Sequence, residues 1–258
     1  MRLAWRRIAV PVVALLALAG CGGAGRDRGP SLQPVGLYTS LPILWRETSE
    51  FSGFLDSDAP RHWSLDILDA HGLVRPLDDL AGSGGGLPLP RRALLVMAQP
   101  RALSPDENVA LDDWVRSGGR LLLFADPMLT SDSRFALGDN RRPQDVVLLS
   151  PILSRWGLEL RFDEDQPVGE REETVLGQPI SVNLAGTFAL TGATPGCAIL
   201  GNGLAARCPI GKGEVLALAD AALLEEAPPE ALPARQAGLE WLIDSLDSGE
   251  RTGLDRDS

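Results

Sequence analysis

Residues 94–127, which read LLVMAQPRALSPDENVALDDWVRSGGRLLLFADP, decide the fold of this chain. The stretch begins and ends with continuous apolar runs, which are typical of parallel strands covered on both faces. Between them, Ser104 is a predicted helix N-cap and Pro105 stands at the first helical position. Glu107 completes a capping box, and Gly118 suits the left-handed position that follows a helix. The order strand, helix, strand predicts a βαβ unit with a right-handed crossover.

The segments on either side of this unit predict more α/β structure. We expect strands at VGLYTSLPILW from Val35, at HWSLDILD with its period-two alternation, at LELRF, and at GEVLALAD up to Asp220. Helices are expected over residues 47–55, over 145–157 and at RQAGLEWLIDSL. Residues 163–174 are predicted to form an acidic loop, and residues 247–258 a disordered tail. Residues 35–246 are therefore predicted to form a single α/β domain.

The first twenty residues predict a secretory signal peptide. Three arginines precede an apolar run that is too short to span a bilayer. The sequence LAGC at residues 18–21 resembles the bacterial lipobox, in which the cysteine, here Cys21, is acylated with groups such as palmitate and becomes the first mature residue. The alternative is an ordinary signal peptide that ends before a cysteine. Residues 21–34 would then form a lipid-anchored tether.

The charge of the chain bears on its partners and its location. A net charge of −11 excludes a nucleic-acid binder, because phosphate neutralisation needs a basic surface. Cleavage before Cys21 removes three arginines and no acid, so −11 becomes −14. A chain of that net charge gains nothing from anionic lipid, so the acyl groups must supply the attachment. We expect an envelope protein facing the periplasm, and Gly22, which is not the aspartate of inner-membrane retention, favours the outer membrane.

The other two cysteines stand in the segment CAILGNGLAARC, at Cys197 and Cys208. Asn202-Gly203 predicts a type I′ hairpin turn, in which both central residues need a positive φ. Counting outward places the cysteines opposite each other, in a hydrogen-bonded pair whose Cα atoms are about 5.5 Å apart. An exported protein could form a structural disulfide there, and two free thiols are the alternative. A catalytic cysteine is not expected, since neither has a nearby base.

The stretch from Leu94 to Pro127 resembles the GldG/DUF4350-type domains. Their pattern is a strand ending in proline, a helix ending in Gly-Gly and a strand ending in Asp-Pro, here Pro100, Gly118-Gly119 and Asp126-Pro127. The segment GKGEVLALADAALL is similar to a later part of such domains. The resemblance implies a flavodoxin-like three-layer fold, related to class I glutamine amidotransferases, with a mostly parallel sheet and, here, a C-terminal β-hairpin addition. It also implies an exported or membrane-linked protein associated with ABC transport.

The residues that leave the carboxyl ends of the predicted strands form the candidate site, because parallel α/β sheets bind ligands at that edge. The candidates are Thr39, Ser40, Gln99, Asp126 and Asp220. Acids beside an amide and hydroxyls could hold a hard cation or a polyol. Alternatively, each acid caps the turn that follows it. Trp45 could wall a ligand cleft together with Glu47, or it could belong to the core.

Several known catalytic arrangements are missing from the sequence. A glutamine amidotransferase needs a cysteine after its strand and a histidine downstream. Here Pro127 and Met128 follow the strand, and His62 and His71 lie upstream. The sequence also lacks a G-x-S-x-G elbow, a complete Walker A loop and histidines at metal-ligand spacing. We therefore expect no cofactor, no metal site and no nucleophilic catalysis.

Three functional hypotheses follow from the sequence. The leading one is a non-catalytic, lipid-anchored periplasmic domain that binds a ligand or a partner, such as part of an ABC-transport assembly. The second is a hydrolase-like or metal-dependent enzyme that uses Asp126 and Asp220. The third is a purely structural envelope lipoprotein. Close approach of the two carboxylates beside a pocket would favour the enzyme, whereas their burial as turn caps would favour the binding domain.

Overall fold

A computed structural model describes residues 33–47, 61–192 and 196–254, with side chains up to residue 246, and both helices and strands occur in them. The elements in chain order are β1 (Val35–Thr39), α1 (Trp63–His71), β2 (Val74–Pro76), β3 (Leu94–Ala98), α2 (Pro105–Arg116), β4 (Arg120–Phe124), α3 (Ser150–Arg155), β5 (Leu158–Arg161), β6 (Arg171–Val175), β7 (Gln178–Val182), β8 (Thr187–Leu190), β9 (Ala198–Leu200), β10 (Ala205–Ile210), β11 (Gly213–Leu218) and α4 (Leu232–Leu254). The predicted signal peptide, Cys21, the tether as far as residue 32 and nearly all of the helix predicted over 47–55 lie outside the described residues.

A seven-stranded sheet forms the centre of the fold, in the order β2-β1-β3-β4-β11-β10-β9. The five strands from β2 to β11 run parallel, and β10 and β9 extend the sheet as antiparallel strands. The order 2-1-3-4 followed by a fifth parallel strand is that of flavodoxin-like folds. The predicted α/β class, the mostly parallel sheet and the C-terminal hairpin addition are confirmed.

Two hydrophobic clusters make this a three-layer structure. Alternate residues of the central strands point to opposite faces, so that Val96 packs towards α1 and α4 while Met97 packs towards α2 and α3. Strand β3 is apolar throughout, and β4 is apolar after Arg120, because both faces of the sheet are covered there. Helix α2 begins with the predicted capping box, in which Ser104 and Glu107 exchange side-chain to backbone hydrogen bonds.

The segment HWSLDILD is a helix, so the strand predicted there is wrong. Its buried residues are Ser64, Leu65, Ile67 and Leu68, a spacing that belongs to one face of a helix. The apparent period of two arose because Leu65 and Ile67 also fit a helical stripe, and Leu68 completes that stripe. The imidazole of His62 caps the helix by accepting a hydrogen bond from the backbone N–H of Ser64.

Other boundaries differ from the sequence prediction. Helix α3 covers only residues 150–155 of the predicted 145–157. Part of the predicted acidic loop is strand β6, which pairs antiparallel with β7. A disordered tail was predicted from residue 247, but helix α4 continues to Leu254. Once a helix has formed, each residue that extends it adds one hydrogen bond, which favours the longer helix. Among the described residues, no helix combines the length and hydrophobicity that crossing a bilayer requires.

The cysteine hairpin has the predicted register. Leu200 pairs with Ala205 across the turn, and both Asn202 and Gly203 have a positive φ. A disulfide joins Cys197 to Cys208, and their Cα atoms are 4.1 Å apart, closer than the 5.5 Å expected for a hydrogen-bonded pair. The bond ties the edge strand β9 to β10, so it fastens the free edge of the sheet.

Candidate functional site

The predicted site residues lie along the carboxyl edge of the main sheet. Thr39, Ala98, Phe124 and Leu218 stand side by side in the strand register, and the chain leaves all four strands at this level. Thr39 and Ser40, Gln99, Asp126 and Asp220 are therefore neighbours along one edge. Their environments nevertheless divide them into buried residues and residues that line a cavity.

Gln99 is a buried connector between loops. Its side-chain amide donates to the carbonyl oxygens of Asp126 and Gln144, at 3.0 and 2.8 Å. Its Oε1 accepts a hydrogen bond from the backbone N–H of Asp126, at 2.9 Å. With a φ of 44° and no exposed surface, Gln99 is held in a left-handed conformation by these bonds. The side-chain amide of Gln99 therefore forms its hydrogen bonds within the protein and is not directed at a ligand.

Asp126 caps two turns from a buried position. One carboxylate oxygen accepts from the backbone N–H of Met128 at 2.8 Å, and the other accepts from that of Ala221 at 3.1 Å. Burial raises the pKa of Asp126 to about 7, and the two hydrogen bonds offset only part of that rise. The carboxyl therefore joins the end of β4 to the segment after β11.

Asp220 has a matching arrangement. Its carboxylate accepts from the backbone N–H of Ala222 at 2.6 Å and from that of Asn183 at 2.9 Å, and its side chain has no exposed surface. Burial raises the pKa of Asp220, and the nearby charge of Asp126 raises it further. Of the two roles predicted for these acids, ligand binding and turn capping, the observed hydrogen bonds support turn capping for both Asp126 and Asp220.

A third acid, the half-buried Glu225, lies near Asp126 and Asp220. Glu225 accepts hydrogen bonds from the hydroxyl of Thr130, and burial raises its pKa. The guanidinium of Arg235 lies close by, donating to the carbonyl of Glu225 at 3.0 Å, and it lowers the pKa of Glu225 in part. The sequence did not point to Arg235 or Glu225, since neither lies beside a strand end in the chain.

Thr39 and Ser40 line a cavity of about 520 Å³ at the end of β1. The other lining residues are Tyr38, Leu77, Asp78, Arg101, Gly138, Asp139, Asn140, Arg142, Pro143, Gln144 and Asp145. We call this space the switch-point cavity, because β1 is where the strand order reverses and where flavodoxin-like folds bind ligands. Asp126, Asp220 and Gln99 do not line it.

Two arginines, Arg101 and Arg142, line the switch-point cavity. Arg101 forms a salt bridge with Glu107 at 2.8 Å and lies over the ring of Tyr38, with 5.4 Å between its Cζ and the ring centroid. Arg142 forms a salt bridge with Asp145 at 2.8 Å. Because each guanidinium has an acidic partner, the wall is polar without a strong charge of either sign.

The buried Glu107 accepts hydrogen bonds from Tyr38 and Arg101, two residues that line the cavity. Burial raises its pKa, but hydrogen bonds from Ser104, Arg101 and Leu80 outweigh the burial and leave the pKa lower than usual. The Tyr38 hydroxyl also donates to Glu107, at 3.3 Å. In the sequence, Glu107 is recognisable only as part of a helix cap. Its link to Tyr38, 69 positions away, carries no signal in the sequence.

A second cavity of about 600 Å³ lies beyond the end of β1, between residues 41–47, the loop 130–134 and residues 224–226. His62 lies in its wall, and burial lowers the pKa of His62 to about 4, so the ring is neutral. Glu47 accepts hydrogen bonds from the Ser133 hydroxyl and the Arg134 backbone N–H, both at 2.7 Å. The half-buried Trp45 packs against Phe135 with ring centroids 5.8 Å apart, and it lines neither of these two cavities.

Metal binding finds no support in the side chains that the structure describes. Among them, no three histidine, cysteine, aspartate or glutamate residues come together in a way that could hold an ion. The carboxylate oxygens of Asp126 and Asp220 already accept backbone hydrogen bonds.

Comparison with known proteins identifies a family and a fold. The family model described as "Domain of unknown function (DUF4350)" matches residues 65–227, more than half of the chain. No protein of curated function matches the sequence.

Solved structures of similar fold include an exo-β-1,4-mannosidase from Opitutaceae bacterium strain TAV5, at 15% identity and a TM-score of 0.50, with 84% of this chain and 36% of that chain covered. A β-galactosidase from the haloarchaeon Halorubrum lacusprofundi has 16% identity and a TM-score of 0.44 over 83% and 30% of the two chains. The chain thus spans about a third of each enzyme, and the likeness to the first concerns fold alone.

Proposed function

This chain belongs to the DUF4350 family, a domain of unknown function. We propose that it is a non-catalytic binding domain, held at the bacterial membrane by a lipid on the Cys21 of its lipobox-like sequence. The domain is of the GldG and class I glutamine-amidotransferase-like type and faces the periplasm. It binds a ligand or a partner protein in the switch-point cavity, and an ABC-transport assembly is the partner that the resemblance favours.

One observation carries the non-catalytic part of this proposal. The carboxylates of Asp126 and Asp220 are fully buried, and each of their oxygens accepts a backbone hydrogen bond. A general acid or base must reach a substrate atom within hydrogen-bond distance. Acids that cap turns beneath the surface do not meet that requirement.

The switch-point cavity supports the binding part. It lies where the strand order reverses, and its volume of about 520 Å³ is in the range of small-molecule sites. Its balanced acids and arginines favour a polar ligand, or a polar partner segment, over an apolar one. A purely structural lipoprotein has no use for such a cavity.

The test is crosslinking in the native envelope, followed by capture of the acylated protein. Asn140→Trp fills the switch-point cavity from its exposed wall, and Ala136→Trp places the same ring on the same loop outside the cavity. We expect the unaltered chain and the Ala136→Trp variant to capture the same ABC-transporter subunits. The Asn140→Trp and Cys21→Ala variants should lose them, and equal capture by all four forms would overturn the proposal.

A second candidate function rests on one feature of Asp126. A carboxyl with a pKa of about 7 resembles a general acid, so an enzyme remains the alternative. If the protein is a hydrolase, glycoside, ester or phosphoester substrates should be cleaved by the purified chain, and an Asp126→Asn variant of matched stability should lose that activity. We expect no cleavage by either form.

A further inference from the structure

The two arginines of the switch-point cavity are neutralised within the protein. Arg101 donates to the buried Glu107 from both of its terminal nitrogens, at 3.2 and 2.8 Å. Arg142 donates to Asp145 from its Nε and from one terminal nitrogen, at 3.2 and 2.8 Å. Two-point pairs of this kind hold a guanidinium firmly. An anionic ligand would therefore have to break one of these pairs before it met a cation.

The acids of the cavity leave one carboxylate over. Asp145 belongs to the pair with Arg142, and Asp139 forms a salt bridge with Arg141 at 2.7 Å. Asp78 is exposed and lines the same cavity. Within the part of the chain that the structure describes, no donor binds the carboxylate of Asp78. The cavity therefore carries one negative charge that the protein itself does not neutralise.

Two hydroxyl groups in the wall of the cavity also have partners inside the protein. The Tyr38 hydroxyl donates to Glu107 at 3.3 Å. The Ser40 hydroxyl donates to the carbonyl of Gln99 and accepts from the backbone N–H of Gln144 at 3.0 Å. A neutral ligand that sought these hydroxyls would compete with existing hydrogen bonds, whereas a cation would meet an unsatisfied carboxylate.

Exposed apolar side chains accompany the loop that forms one wall of the cavity. Of the ten large apolar side chains that are exposed in the described residues, four lie within residues 128–148, and we call these four the apolar rim: Met128, Leu137, Val146 and Leu148. Leu137 directly precedes the lining residue Gly138, and Val146 directly follows the lining residue Asp145. A small ligand inside the cavity would leave the apolar rim in water, whereas a protein segment would cover both.

We propose that the switch-point cavity receives an arginine or lysine side chain of a partner protein, which pairs with Asp78 while neighbouring apolar residues of the partner cover the apolar rim. This inference rests on the proposed function, because it gives the chemistry of the partner at the same cavity. The net charge of −11 supports a basic partner segment, since opposite charge speeds the encounter and the local pair then fixes the register.

Two peptide pools test this inference on the purified full chain. Both contain capped peptides with random residues on either side of one fixed central position, which is arginine in the first pool and citrulline, its uncharged isostere, in the second. The amount of each pool that the immobilised chain retains is measured by mass spectrometry. We expect about five-fold more of the arginine pool, the upper end for an ion pair that keeps contact with water. Apolar residues should be enriched beside the arginine in the retained peptides.

Four variants make the test specific. Asp78→Asn should remove the preference for arginine, whereas Glu164→Gln removes the same charge from an exposed site outside the cavity and should keep it. Leu137→Ser should lower retention of the arginine pool about three-fold or more, because a covered leucine is lost. Leu73→Ser is the matched control, since Leu73 is exposed to 79% and Leu137 to 81%, and Leu73 lies beside the start of β1 at the opposite edge of the sheet.

Equal retention of the two pools, or a preference for arginine that survives in Asp78→Asn, overturns the inference. Displacement of the retained peptides by an equal concentration of agmatine, a small free guanidinium compound, would show a site for a small cation and overturn the partner segment. Failure of the proposed function is a separate result. Transporter capture that Asn140→Trp abolishes would still support that function if the pools bind equally, whereas an arginine preference without such capture would keep the cation site and overturn the transporter partner.

Discussion

At the scale of single residues, the strand-end acids show how burial sets the role of a side chain. Asp126 and Asp220 occupy positions that bind ligands in many α/β proteins. Here both side chains point into the protein, and backbone N–H groups satisfy them. Arg235 has a similar role, because its guanidinium donates to the backbone carbonyls of Ala222 and Glu225. These polar side chains hold the loops that form the surface.

The buried carboxyl of Asp126 predicts a pH-dependent stability. Its pKa is about 7 in the folded state, against a usual value of 3.8, so the folded chain holds more protons between these values. The stabilising contribution is therefore complete below about pH 4 and is lost as the pH rises through 7. Relative to the Asp126→Asn variant, we expect the wild-type free energy of unfolding to fall by up to roughly 4 kcal/mol over this window.

Urea denaturation at a series of pH values measures this difference. Asp139→Asn is a matched control, since Asp139 is only half-buried and its hydrogen bonds with Arg141 lower its pKa to about 2. Its difference from wild type should stay constant over the same window. A constant difference for Asp126→Asn as well would contradict the role of burial.

At the scale of elements, α2 shows a local signal that also has a tertiary role. Ser104 and Glu107 form the capping box that the sequence predicts, and Glu107 additionally binds Tyr38 and Arg101. Helix α1 shows the opposite case, because its short apolar pattern fits two periods. Only packing against β1 and α4 decides in favour of the helix.

The N-terminus of α2 supplies the second prediction. Ser104→Ala removes the hydroxyl that accepts from the backbone N–H of Glu107, and it should lower the free energy of unfolding by about 1 kcal/mol. Asp106→Ala alters an exposed acid in the same turn and should cost only about 0.3–1 kcal/mol, through the helix dipole. Chemical denaturation of both variants gives the comparison. A larger loss for Asp106→Ala than for Ser104→Ala would contradict the capping role.

At the scale of the whole molecule, one sheet is the shared wall of two cores. The cluster on one face includes Leu68 of α1, and the cluster on the other includes Leu111 of α2. Since every central strand contributes side chains to both clusters, neither core can lose its packing alone. The described residues belong to one compact unit that spans Leu32–Ser258.

Cooperative unfolding is the prediction at this scale. Leu68→Ala and Leu111→Ala should each lower the free energy of unfolding by about 2–5 kcal/mol. In each variant, tryptophan fluorescence and far-ultraviolet circular dichroism should shift to the same new midpoint. Separate midpoints for the two probes would show that the faces unfold independently.

Local patterns in the sequence predict the features that depend on residues close together in the chain. These include the βαβ unit at Leu94–Phe124, the cap of α2 and the register of the hairpin around Asn202-Gly203. Each is encoded by short-range hydrogen bonding, by backbone conformation or by a long run of buried residues. The α/β class followed from the order of these units.

Tertiary structure decided what the strand ends and the surface became. The burial of Asp126 and Asp220 and the cavity beside Ser40 join residues that lie tens of positions apart. Desolvation and charge depend on everything that surrounds a side chain in space, whereas a local pattern records only its neighbours in the chain. The sequence therefore located the edge where a site could form, and packing decided which of its residues remained accessible.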